Sequence, residues 1–252
     1  MSVAEIATKH GLALPVVLGF LKSSADSCTL LAPFEFHRAP VTATTAVHVY
    51  WLGYIAACGR LFGQGAHGTL VLAIHPEDSG QIETLLQDLT IGHAACEFAD
   101  SSLSGRQAYI RNPGLARVLV QWGIAEAPER GMVPFEYVPA ALVPDFLRGY
   151  IEGSRLTPPF GGEGRRAPSP ASLERLTLVG APGLIGDLAA VVADAYHING
   201  GNVTPYKSGG LSQVTFGRSE TQRLLGHAYR APVRSMPRAA KFVAKFGRQA
   251  VR

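Results

Sequence analysis

The sequence predicts an α+β protein made of two copies of one helix-and-strand unit, with a small helical module in front of them. Two observations carry that prediction. The apolar stretches WLGYIAACG, from Trp51 to Gly59, and LRGYIEGSR, from Leu147 to Arg155, share GYI, and Gly53 and Gly149 lie 96 residues apart. Behind each stretch the same kinds of element recur in the same order, and such self-similarity marks an internal repeat. Composition agrees: 252 residues, 47% hydrophobic and 17% charged, describe a globular chain with core enough for one large domain or two smaller ones.

From the N-terminus, residues 3–22 read as two short helices: Val3, Ile6 and Ala7 recur at helical spacing after Ser2, Gly11 breaks the pattern, and a second apolar run spans Leu14 to Lys22. The pair resembles a helix-turn-helix, with Val17 and Leu21 facing its core. Its second helix presents Leu14, Pro15, Val16 and Gly19 where a base reader presents Arg, Asn, Gln or Ser, so a packing module that meets a protein partner stands beside the DNA reading. Residues 25–46, with Pro33 and Pro40, are expected to form a linker or short hairpin.

The helix holding WLGYIAACG follows, and GTLVLAIH (68–75) then alternates as a strand. Residues 76–92 predict a helix capped by Asp78 or Ser79 and closed before Gly92. GRQAYIRN (105–112) is a strand, and 113–124 is a helix that Pro113 begins and Gly123 stops. The second copy runs through a helix over 143–156, a Pro/Gly-rich basic loop over 157–172, a strand over 173–180, a helix over 181–196, a strand over 209–218 and a helix over 219–230. The expected organisation is therefore a helix-turn-helix-like segment at 1–24, a linker at 25–46, and repeats at 47–142 and 143–252.

Charge is unevenly spread. From Arg218 onward nine bases face one acid, Glu220, so this segment carries +8 of a chain whose total is +4. Such asymmetry is the expected footprint of a polyanion partner, with a solvated basic helix or tail as the alternative. Three scattered cysteines, Cys28, Cys58 and Cys96, fit neither a disulfide framework nor a zinc site. No apolar run approaches the roughly 20 residues that span a bilayer, and no leader is visible, so the expectation is a cytoplasmic, nucleoid-associated protein with no membrane partner.

Over roughly Val47 to Phe246 these residues resemble the two-repeat, single-chain LAGLIDADG homing endonucleases, with WLGYIAACG and LRGYIEGSR in the place of the two motifs. The resemblance implies two αββαββα repeats whose motif helices pack together at a pseudo-twofold axis, each leading into one half of a saddle-shaped sheet that lies on DNA. It also implies a monomer, since the dimer axis is internal. Gly53 and Gly149 permit close helix approach, and Tyr54 and Tyr150, with Ile55 and Ile151, pack around the seam.

In that family the eighth motif residue is an acid, and the two acids hold divalent cations for strand cleavage. Here those positions are Cys58 and Ser154, which offer magnesium no carboxylate, so the expectation is no metal, no cofactor and no cutting. Glu152 stands at the sixth position, about 200° around the helix from Ser154, and its first-motif counterpart is Ala56. Magnesium enters only under the alternative of an active metal-dependent site-specific endonuclease that draws on Glu152, Asp145 or Glu136.

The resemblance places Arg60, Gln64, His67 and Thr69 of the first repeat, and Arg155, Arg165 and Arg166 of the second, over the major groove as candidates to read bases. A solvated loop is the alternative for Arg165 and Arg166, and Arg155, which replaces the closing motif glycine, suits a phosphate in place of a cation. Lys207, Arg234, Arg238, Lys241 and Lys245 are the expected phosphate contacts. The expected function is that of a double-stranded DNA-binding protein with a regulatory or chromosome-associated role. An RNA-binding intron-splicing cofactor and a protein-interaction scaffold are the remaining alternatives.

Overall fold

The structure is a computed structural model that describes residues 27–63, 68–74, 78–101, 105–124, 135–154, 175–207, 210–230, 232, 234–236, 239–240 and 243–244. The two-helix module expected at 1–24 lies outside the described residues. The segment expected as a linker or hairpin holds instead a short helix, α1 (Pro33–Arg38). The first motif helix, α2 (Ala43–Cys58), begins with a reciprocal cap: the Thr45 amide donates to Thr42 Oγ1 (3.2 Å) and the Thr42 amide to Thr45 Oγ1 (2.7 Å).

The first repeat continues as β1 (Gly59–Phe62), β2 (Thr69–Ile74), α3 (Gln81–Asp88), β3 (Cys96–Ser101), β4 (Gly105–Ile110) and α4 (Pro113–Gln121). Its sheet is antiparallel in the order β1-β2-β4-β3. Leu61, Leu70, Leu72, Ile74, Ala108 and Ile110 share its inner face and are buried.

The ends of α3 differ from expectation. Gly80, with no side-chain bond, takes the cap that Asp78 or Ser79 was expected to fill, and Asp78 is buried. The helix closes four residues before Gly92: Thr90 takes the left-handed conformation (φ 56°), and the Ile91 amide donates to Leu86 O at 2.7 Å. Helix α4 follows the expected pattern, with Pro113 in its first turn, Asn112 Oδ1 accepting from the Leu115 amide, and Gly123 left-handed (φ 74°) just past its end.

The second repeat comprises α5 (Val143–Gly153), β5 (Leu176–Gly180), α6 (Pro182–Tyr196), β6 (Thr204–Pro205), β7 (Ser212–Phe216) and α7 (Arg218–Ala228). Its sheet order, β5-β7-β6, repeats the β2-β4-β3 order of the first. The positions equivalent to β1 begin at Arg155 and lie outside the described residues. Among the described residues no helix is long and apolar enough to cross a membrane.

Candidate functional site

Helices α2 and α5 meet along their glycines. A Cβ at Gly53 would run into the Phe146 carbonyl oxygen, and one at Gly149 into the Tyr50 carbonyl oxygen, so the two backbones touch where no side chain intervenes. A third glycine, Gly153, lies under Tyr54, whose carbonyl oxygen would stand 2.6 Å from an added Cβ. Tyr150 reaches past the seam, and its hydroxyl donates to Val179 O of β5 at 2.8 Å, tying the second motif helix to its own sheet.

This packing brings the C-terminal ends of both motif helices to equivalent places. Cys58 is the last residue of α2, and its thiol donates to Tyr54 O at 3.2 Å; Ser154 caps α5 and is buried. Neither carries a carboxylate: the Cys58 sulfur is too soft for magnesium, and the Ser154 hydroxyl brings an oxygen but no negative charge. The nearby acids do not converge to replace them. Asp145 lies in the first turn of α5 and pairs with Arg148, while Glu136 is exposed in a separate short turn, Phe135–Tyr137. Among the described residues, those at the helix ends therefore do not fit the metal centre that the resemblance implies. Among the described residues no group of three or more His, Cys, Asp and Glu is gathered to hold a metal ion.

Glu152 is fully buried, and its partners Tyr50, Ser235 and Met236 are not at those helix ends. It accepts from the Tyr50 hydroxyl, the Ser235 hydroxyl and the Met236 amide, each at 2.7 Å. Burial raises its carboxyl above the ordinary 4.5, against the pull of those bonds and of Arg148. The fold thus holds this proton to a higher pH than the unfolded chain does. The stability it contributes is complete below about 4.5 and is lost as pH rises through the folded value. Urea unfolding over that window should show wild-type stability falling relative to Glu152→Gln, whereas parallel curves would contradict the burial argument.

Arg148, one turn before Glu152, is also buried. It donates to Asp145, to Ala228 O at 2.7 Å and to Arg234 O at 2.6 Å, and lies over the Tyr50 ring. Arg234, expected among the phosphate contacts, is ion-paired: Asp88 at the end of α3 accepts from its Nε and Nη2, both at 2.7 Å. Asp88 also accepts from Trp51 Nε1 at 2.7 Å.

The outer faces of the two sheets are the remaining candidate surface. Register puts Arg60 beside Val71, Tyr109 and Glu97 in one cross-strand row, with Thr69 and Phe62 in the next. Arg60 is exposed and Thr69 half-buried, so both lie on the face expected to read bases. Three further polar residues share or border this face without having been expected: Gln107, whose Oε1 accepts from the Tyr109 hydroxyl at 2.6 Å, Tyr109 itself, and Arg111, which pairs with Glu97 at 3.0 Å. The alternation of GRQAYIRN was the signal for them. Among the described strands of the second sheet the outer polar residues are uncharged: Thr177 and Thr215, their hydroxyls 3.1 Å apart, and Gln213 beside Thr204. Lys207 is exposed between β6 and β7. Gln64, His67, Arg155, Arg165, Arg166, Arg238, Lys241 and Lys245 lie outside the described residues.

No protein-family profile matches the sequence, and no curated protein matches it. Solved structures do. A mesophilic variant of the homing endonuclease I-DmoI aligns with a TM-score of 0.54 at 11% identity, over 79% of this chain and 97% of that one. Full-length DUF199/WhiA from Thermatoga maritima aligns at 0.47 and 13% identity over 86% of this chain, which spans 64% of that protein's length. The homing endonuclease I-WcaI bound to its DNA recognition sequence aligns at 0.47 and 10% identity, over 82% of this chain and 90% of that one. With the repeated sheet order and the glycine-to-backbone helix seam, the first of these alignments identifies the architecture: the chain has a LAGLIDADG homing endonuclease-like fold.

Proposed function

We propose that this chain binds double-stranded DNA as a monomer through the outer faces of its two sheets and its basic C-terminal segment, in a regulatory or chromosome-associated role, and does not cut the strands. One observation carries the reading. The helix pair keeps its backbone contact at Gly53 and Gly149, whereas the two helix ends carry Cys58 and Ser154 in place of carboxylates. Such a helix pair can hold its two halves together without bringing two carboxylates to its ends.

Charge supports a polyanion partner, since +8 is concentrated after Arg218. The sheet faces support direct contact with bases: they offer Arg60, Gln107 and Tyr109 on one half and threonines with Gln213 on the other. The test is equilibrium binding of a labelled duplex as salt rises. Affinity should fall linearly on logarithmic axes, with a slope of about −0.9 for each phosphate neutralised. Tighter binding to structured RNA than to duplex would favour the splicing-cofactor reading instead.

A further inference from the structure

The one acid left in the second motif has a role that no metal chemistry explains. Arg148 and Glu152 lie one turn apart on one face of α5, and together they hold the stretch that follows α7. Arg148 takes the carbonyls of Ala228 and Arg234; Glu152 takes the Ser235 hydroxyl and the Met236 amide. From the first repeat, Tyr50 reaches the same carboxylate, and Asp88 clamps the Arg234 guanidinium. Met236 and Ala239 are buried behind these contacts. The counterparts of Arg148 and Glu152 in the first motif helix are Leu52 and Ala56, so the fold carries this seat once.

The chain is therefore pinned across both motif helices immediately before its last five bases in sequence, Arg238, Lys241, Lys245, Arg248 and Arg252. We infer that Glu152 is a positioning residue that seats the C-terminal segment across the paired helices and so sets where those bases meet DNA phosphates. This inference rests on the duplex-binding reading. Pinning matters because cations on a segment with a fixed departure point are held near the duplex at a high effective concentration, and less ordering entropy is lost on binding.

The test uses the full-length protein, with trypsin cleavage after Arg234 followed by mass spectrometry and duplex affinity followed by anisotropy. Wild type should resist cleavage there. Glu152→Ala should open the site by about ten-fold or more and weaken duplex binding part of the way toward a chain ending at Met236, itself roughly ten-fold below wild type for the lost phosphate contacts. Glu152→Gln should restore both, because its amide oxygen can accept from Tyr50 and Met236 while its amino group donates to Ser235 Oγ. Should Glu152→Ala fail to fold, Ser235→Asp sets a second carboxyl against Glu152 from the segment side, leaves the helix seam intact, and should give the same opening and weakening.

Rapid cutting after Arg234 in wild type overturns the seat. An opened Arg234 with wild-type affinity, or a truncated chain that binds as tightly as the whole, overturns the positioning role. A wild type with no salt-sensitive duplex binding contradicts the DNA reading and, with it, the phosphate role, while the protection of Arg234 is still decided by proteolysis alone.

Discussion

Replacing Gly149 by alanine should cost about 3 kcal/mol or more, at or beyond the upper end of what overpacking usually does, and Gly53→Ala should behave alike. The added carbon would meet the carbonyl oxygen of Tyr50 and come within 2.9 Å of the Tyr54 amide nitrogen, and backbone atoms cannot rotate aside as a side chain does. Relief requires the two helices to move apart, which loosens the buried packing of Tyr50, Tyr54, Phe146 and Tyr150 together. Gly186 in α6 is the control, because a Cβ there meets nothing within 4 Å. Gly186→Ala should stabilise the protein by about 0.5–1 kcal/mol through helix propensity. Urea unfolding of the three variants measures both signs, and a tolerated Gly149→Ala would mean that the motif helices do not touch.

Arg148→Met should cost roughly 3–5 kcal/mol, as removal of one partner of a buried ion pair does. The guanidinium is almost inaccessible, and its loss would leave Asp145 in a buried site with no countercharge and two carbonyls, of Ala228 and Arg234, without their donor. Burial already holds the Asp145 carboxyl above its ordinary range, and Arg148 is what opposes that rise. Adding Asp145→Asn to Arg148→Met should accordingly recover part of the loss. Unfolding of the single and double variants in one denaturant series checks this, and strict additivity would show that the two residues do not act as a pair.

The parts of this fold visible in the sequence are those that local chemistry specifies. The glycine-bearing helices, the alternating strands β2, β5 and β7, and the Pro113-to-Gly123 helix all carry their signal within a dozen residues. The elements that escaped are short or lie at sheet edges. β1 begins directly after Cys58 with no turn between, β3 is an edge strand carrying Glu97 and Asp100, and β6 has two residues, so their neighbours rather than their own pattern place them. Helix α1, with six residues, is too short to show a period.

The same division runs through the candidate site. Helical geometry sets Glu152 about 200° from Ser154, but its partners Tyr50, Ser235 and Met236 lie 83 residues or more away along the chain. Counting charge shows Arg234 as a cation but not its partner, since Asp88 is 146 residues distant. The resemblance, not a strand pattern, singled out Arg60 and Thr69, and the strand register sets both on the outer face, where the alternation of GRQAYIRN also puts Gln107 and Tyr109.

The most direct measurement is duplex binding by the full-length protein with magnesium present, followed in one sample by anisotropy as salt rises and by gel for strand breaks. Binding that weakens steeply with salt, on DNA that stays intact, is the expected result. Nicked or linear DNA whose appearance requires the metal, or an absence of salt-sensitive binding, would contradict it.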